Sequence, residues 1–221
     1  MNGHLVRGSL VIAMVKVLRD DLTAAGVDPG AYGCGYTTLA WSRDGERWQR
    51  DPTPFFEPDP EPGAWDHAHA WIDEHLVVGE TTRLYYAGYR QGHKMNRFAE
   101  LQIGLVEIPR DRYIARRGGE AEGWLLTVPI RLDLAPSALR LNVDATRGQV
   151  RVAVLDARSG GPIPGLTAEA CRPITADGLA LAVDWDGAPT SRKRLAPLAG
   201  QSIRLRFHLR NSDLFGFELL P

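Results

Sequence analysis

The side chains best suited to chemistry are grouped in Trp65-Asp66-His67-Ala68-His69. A carboxylate beside two imidazoles can move protons or hold hydroxyl groups by hydrogen bonds. On an extended strand His67 and His69 share one face by the two-residue period, and His-x-His in that setting is a legitimate metal chelate. Arg90 and His93 follow Tyr85-Tyr86-Ala87-Gly88-Tyr89, where a strand is expected to exit towards the same face. No carboxylate or thiol is placed to complete a metal site, so neither a metal nor a cofactor is expected. The competing reading is an Asp66–His pair whose hydrogen bonds fix a loop.

The stretch Ser42-Arg43-Asp44-Gly45-Glu46-Arg47-Trp48 also looks catalytic, but it has a structural explanation. Asp44-Gly45 is a tight-turn pair, the Asp44 side chain can cap backbone N–H groups, and Trp48 packs back under the turn. Ser42, Asp44, Gly45 and Trp48 are therefore read as a structural hairpin. Arg50-Asp51-Pro52 opens a loop from Asp51 to Gly63 in which five prolines prevent entry into a central sheet. His75 and Glu80 read as solvent-facing turn residues.

These residues need a β scaffold to position them. Short runs of β-forming residues recur between Gly, Pro and Asp clusters, and long amphipathic helical patterns are absent. The first set is Val11 to Leu18, Thr37 to Trp41, His69 to Val78, Arg83 to Tyr89 and Gln102 to Ile108. From Leu139 onward the alternation becomes one-sided. Leu139, Leu141 and Val143 alternate with Arg140 and Asn142, and an Arg147-Gly148 turn leads into Val150, Val152 and Val154. Leu179, Leu181, Val183 and Trp185 repeat the pattern, as do Ile203, Leu205, Phe207 and Leu209 against Arg204, Arg206, His208 and Arg210. Such strands fit two packed antiparallel sheets, a β-sandwich. The Arg- and Gly-rich segment from Arg112 to Gly123 marks a boundary, with domains expected over 1–118 and 123–221.

Composition bounds the function. A chain of 221 residues with 44% hydrophobic and 24% charged residues can bury one or two cores. A net charge of -1 with dispersed signs offers no basic stripe for nucleic acid as the main partner, and no polybasic segment for a membrane surface. The apolar run Leu10 to Leu18 is interrupted by Lys16, lacks a cleavage site after it, and is too short to span a bilayer. It reads as a strand, and a cytoplasmic chain is expected, with secretion of a longer parent chain left open. Cys34 and Cys171 fall in different expected domains without Cys-x-x-Cys spacing and read as ordinary small residues.

The order of these phrases resembles a known group. T-L-A-W-S-R-D-G-E-R-W, A-W-D-H-A-H, R-L-Y-Y-A-G-Y and Q-I-G-L-V-E look like the last two blades of bacterial five-bladed β-propeller proteins related to glycoside hydrolase families 32 and 43. L-R-L-N-V-D, V-A-V-L-D-A, G-P-I-P-G-L and I-R-L-R-F-H-L-R-N-S-D-L-F-G-F resemble the C-terminal sandwich found in many of them. The resemblance implies an all-β chain, a partial propeller of about two blades followed by a β-sandwich. Blades run roughly 40–50 residues, and a ring needs at least about four of them. In the resembled group the nucleophile, auxiliary aspartate and acid/base glutamate come from the first three blades, so the two-carboxylate mechanism is not assigned to residues here. The Ser42–Trp48 phrase resembles the structural Asp-box hairpins of propellers. Arg50-Asp51-Pro52 matches an invertase-like motif in letters only.

The resemblance implies that inner strands point residues at a propeller axis, where Asp66, His67, His69, Arg90 and His93 would hold sugar hydroxyls. Trp65, Trp71, Tyr85, Tyr86 and Tyr89 would stack on sugar rings or form core. The expected function is a glycoside-hydrolase-like, carbohydrate-related protein, inactive as this chain. The alternatives are a noncatalytic carbohydrate-binding or structural module, or an accessory subunit completing another chain's ring. A homo-oligomer or a ring-completing partner is expected to cover the open flank around Val11, Ile12, Val15 and Val17.

Overall fold

The computed structural model describes residues 2–93, 100–185 and 192–221. The chain is all-β and divides into two compact units, Met1–Arg110 and Asp111–Pro221.

The first unit is a seven-stranded sheet made of β1 (Asn2–Arg7), β2 (Leu10–Arg19), β3 (Cys34–Ser42), β4 (Gln49–Arg50), β5 (His69–Val78), β6 (Thr81–Tyr89) and β7 (Gln102–Pro109). Two antiparallel runs, β1-β2-β3-β4 and β5-β6-β7, meet where β3 and β5 touch in parallel register at Gly35 and His69. Thr37 holds the seam below that point. Its hydroxyl donates to the Ala70 carbonyl at 3.0 Å and accepts the Ile72 N–H at 2.9 Å. Two backbone groups that β5 would otherwise bury unpaired are thereby satisfied. The proline-rich loop is tied to β3 at Asp51, whose N–H donates to the Leu39 carbonyl at 2.9 Å, and at Phe55 and Phe56, whose N–H groups reach the Thr37 carbonyl at 2.8 and 3.1 Å.

A β-bulge in β5 changes which residues are buried. Ile72 pairs with Tyr86 and Glu74 with Tyr85, so Asp73 is an extra residue with no opposite number. The insertion reverses the alternation, and His75 joins Ala70 and Ile72 inside. His75 is therefore a buried strand residue, not the solvent-facing turn residue expected from its place in the sequence. Glu80 does lie exposed at the β5–β6 turn. The bulged Asp73 pairs with the ammonium of Lys16 on β2.

The second unit contains β8 (Arg116–Gly118), β9 (Gly123–Leu126), β10 (Ile130–Arg131), β11 (Ala138–Asp144), β12 (Gln149–Asp156), β13 (Asp177–Ala182), β14 (Ser202–Arg210) and β15 (Ser212–Leu220). One sheet runs β13-β11-β15-β8; in the other, β14 lies between β12 on one side and β9 and β10 on the other. Their inward residues make one core: Leu139, Leu141 and Val143 from β11, Val150, Val152 and Val154 from β12, and Ile203, Leu205 and Phe207 from β14. Full burial of each large side chain contributes about 1.5–3 kcal/mol. Trp185 enters this core with its indole N–H donating to the Val152 carbonyl at 2.9 Å, which removes the cost of burying the polar end.

The division falls ahead of the expected boundary between residues 118 and 123. Arg116–Gly118 is a strand of the second unit, paired with Ser212, Asp213 and Leu214. Arg117 adds a two-pronged ion pair to Asp213 at 2.7 and 2.9 Å.

Candidate functional site

The residues expected to hold a ligand do not form one cluster. Trp65, Asp66, His67 and Ala68 make a turn, and β5 starts only at His69. The two-residue period therefore does not relate His67 to His69. His67 directs Nδ1 at the Asp59 carbonyl, 2.8 Å away, and Nε2 at the Ala25 carbonyl, 2.9 Å away. Each ring nitrogen thus lies at hydrogen-bond distance from a loop carbonyl, and a neutral ring donates to one of the two.

Asp66 is buried and accepts the Tyr86 hydroxyl hydrogen bond at 2.8 Å. Burial, then the carboxylate of Asp66, pushes the Tyr86 phenol well above its ordinary range, so it remains a donor. Trp65 and Phe56 pack on the Tyr86 ring at 5.3 and 4.7 Å between centroids. This group lies on one face of β6, shared with Gly88, whose missing side chain leaves room for Trp65 and Asp66.

The opposite face carries His69 and Tyr89, which are cross-strand partners with rings 5.3 Å apart. Trp71 sets its ring edge-on to His69 at 4.0 Å, and His93 stacks on His69 at 5.2 Å. Trp71 is fixed by its indole N–H donating to the Val17 carbonyl at 3.0 Å, with the Lys16 ammonium 5.5 Å from the ring centre. His69 is fully buried, and neither of its ring nitrogens has a hydrogen-bond partner among the described residues. Burial first, then His93 and Lys16, push its imidazole down to about 3. His69 is thus a neutral, desolvated ring in an aromatic nest. Arg90 is exposed just past the end of β6.

The structure therefore brings His69 and His93 together with Trp71 and Tyr89, and sets Asp66 with Tyr86 apart from them. Tyr86 and the loop carbonyls of Ala25 and Asp59 were not legible as partners, because the contacts join segments distant in sequence. Among the described residues no group of three or more His, Cys, Asp or Glu is arranged to hold a metal ion, and no helix is long and apolar enough to cross a membrane.

The 42–48 hairpin is built from its own side chains. Asp44 Oδ1 accepts the N–H groups of Glu46 and Arg47 at 2.9 and 2.8 Å, and Ser42 Oγ accepts that of Gly45 at 2.9 Å. Gly45 has a φ of 78°, which a side chain would strain, and the Trp48 indole N–H donates to its carbonyl at 3.0 Å. The Arg47 and Glu46 amides and the Ser42 hydroxyl hold the Asp44 carboxyl below its usual range.

No protein-family model matches the chain, and no characterised protein matches it in sequence. Among solved structures it is similar to a glycoside hydrolase family 43 arabinoxylan arabinofuranohydrolase from Bacillus subtilis, in complex with cellotetraose. Identity is 10% and the TM-score 0.28, over 99% of this chain and 53% of that one. The chain spans about half the length of that protein. A likeness at this distance carries no argument about activity.

Proposed function

We propose that the chain is a glycoside-hydrolase-like protein that binds carbohydrate without cleaving it. The observation that carries this reading is the separation of Asp66 from the histidines. The carboxylate is committed to Tyr86 on one face of β6, while His69, Trp71, Tyr89 and His93 occupy the other. Two-carboxylate glycoside hydrolysis needs an acid and a second carboxylate flanking the same bond. Half-buried Trp71 and His93, backed by the buried His69 and Tyr89 and next to exposed Arg90, instead suit the C–H face and hydroxyls of a sugar ring. The test is a panel of aryl glycosides with affinity electrophoresis in polysaccharide gels. Retardation without turnover above a heat-treated control is expected. Turnover abolished by Asp66→Asn would overturn the reading and make Asp66 catalytic.

A second reading, an accessory subunit that completes an open sheet with a partner, is favoured by one observation. Ile103 and Leu105 on β7 are 78% and 48% exposed, and the outer edge of β7 has no strand beside it among the described residues. An apolar strand edge of this kind is a surface for association.

A further inference from the structure

The basic alternation Arg204, Arg206, His208, Arg210 on β14 has no role in the site above. In the structure these side chains point away from the sandwich core, because Ile203, Leu205, Phe207 and Leu209 fill it. On the same outer face, Trp124 of β9 stands directly opposite His208, and Arg151 of β12 stands opposite it on the other side. Trp124 is a large aromatic left 65% exposed.

The charges on this face are unbalanced. Among the described residues, Arg151, Arg204, Arg206 and Arg210 make no ion pair. Arg151 donates to the carbonyls of Ala168 and Cys171, at 3.3 and 2.8 Å, and Arg204 to that of Thr127 at 3.1 Å. Among the described residues Arg206 Nε has no hydrogen-bond partner, and its guanidinium lies 5.4 Å from the centre of the Trp124 ring. Two carboxylates are present: Glu122, 3.0 Å from His208 Nδ1, and Glu169, which feels the field of His208 and Arg151.

We propose that the outer face of β9, β14 and β12 binds an acidic glycan, a polysaccharide whose sugars carry carboxylates. The exposed indole offers a flat surface for the C–H face of a pyranose. Arg206, already oriented by that indole, and Arg210 supply guanidinium forks whose geometry matches a carboxylate. Glu122 can accept hydrogen bonds from sugar hydroxyls. A nucleic acid is disfavoured by the single indole, since strand binding draws on successive stacking platforms. This proposal rests on the carbohydrate reading and names its ligand class and a place in the second unit.

The test is titration calorimetry on the full chain with an oligogalacturonate, a neutral xylo-oligosaccharide and polyuridylate. The oligogalacturonate is expected to bind, more weakly as salt rises, and at least about tenfold more tightly than the neutral sugar. Trp124→Ala and Arg206→Gln, each checked for unchanged circular dichroism, are expected to weaken it about tenfold, while Asp66→Asn leaves it unchanged. Wild-type affinity in both face variants, or tighter binding of polyuridylate, would overturn the proposal. If the neutral sugar binds and only a Trp71 or His93 variant weakens it, the face proposal falls and the carbohydrate reading stands. If no glycan binds, both fall.

Discussion

The imidazole of His69 occupies the space that any side chain at residue 35 would need. A Cβ on Gly35 would come within 2.4 Å of His69 Cε1 and 2.6 Å of Nδ1, at the point where β3 and β5 meet in parallel. The ring has little room to retreat, since Trp71, Tyr89 and His93 surround it. Gly35→Ala is therefore expected to destabilise the first unit by about 1–3 kcal/mol through overpacking. Chemical denaturation checks this, and a Gly35→Ala/His69→Ala double variant should lose less than the sum of the two single changes.

The same burial gives the protein an acid-sensitive core. The unfolded His69 takes up a proton near its ordinary 6.5, whereas the folded ring stays neutral until about 3. Its contribution is thus fully present above about pH 6.5 and is lost progressively as pH falls towards 3, because the unfolded state binds the extra proton. The loss is on the order of a few kcal/mol. His75, also held low by burial, acts in the same direction. Urea midpoints measured across this range should fall with acidification, and His69→Phe should flatten the slope.

Removal of the Tyr86 hydroxyl leaves the buried Asp66 carboxylate without its 2.8 Å donor. Tyr86→Phe is expected to cost about 1–3 kcal/mol, with Asp66→Asn milder because the amide oxygen still accepts. Equal and small shifts in melting temperature for both variants would show that the pair is not a structural one.

Asp44→Ala removes the acceptor for two turn amides and is expected to lower the melting temperature by a few degrees while leaving carbohydrate affinity unchanged. Its carboxyl is held below the ordinary 3.8, so this stabilisation is present above that pH and fades as pH falls below it. Lost affinity with an unaltered melting curve would contradict the structural assignment of the hairpin.

The exposed edge of β7 bears on assembly. Sedimentation is expected to show a homo-oligomer or a complex with a sheet-completing partner, and Ile103→Lys should dissociate it by placing a charge on the apolar flank. A monomer in the unmodified chain, with cooperative melting and no binding of dyes for exposed apolar surface, would remove the accessory-subunit reading.

Much of this protein was legible because strand periodicity is a local property. The alternation Ile203, Leu205, Phe207, Leu209 against Arg204, Arg206, His208, Arg210 determined which residues of β14 face the core, and the Asp44-Gly45 pair determined a turn that closes with its own side chains. The tertiary structure decided what depends on neighbours far along the chain. The bulge at Asp73 turned His75 inward, and nothing in the run His69 to Val78 signals where an extra residue is tolerated. The short strand Arg116–Gly118 carries no apolar alternation and exists because β15 offers it an edge. Asp66, His67 and His69 are close in sequence, but a turn sends the first to Tyr86 and the second to the loop carbonyls. The third enters the nest over Gly35. Side-chain direction after a turn is set by the segments available to satisfy each polar group. For Asp66 and His67 those segments lie between 8 and 42 positions away.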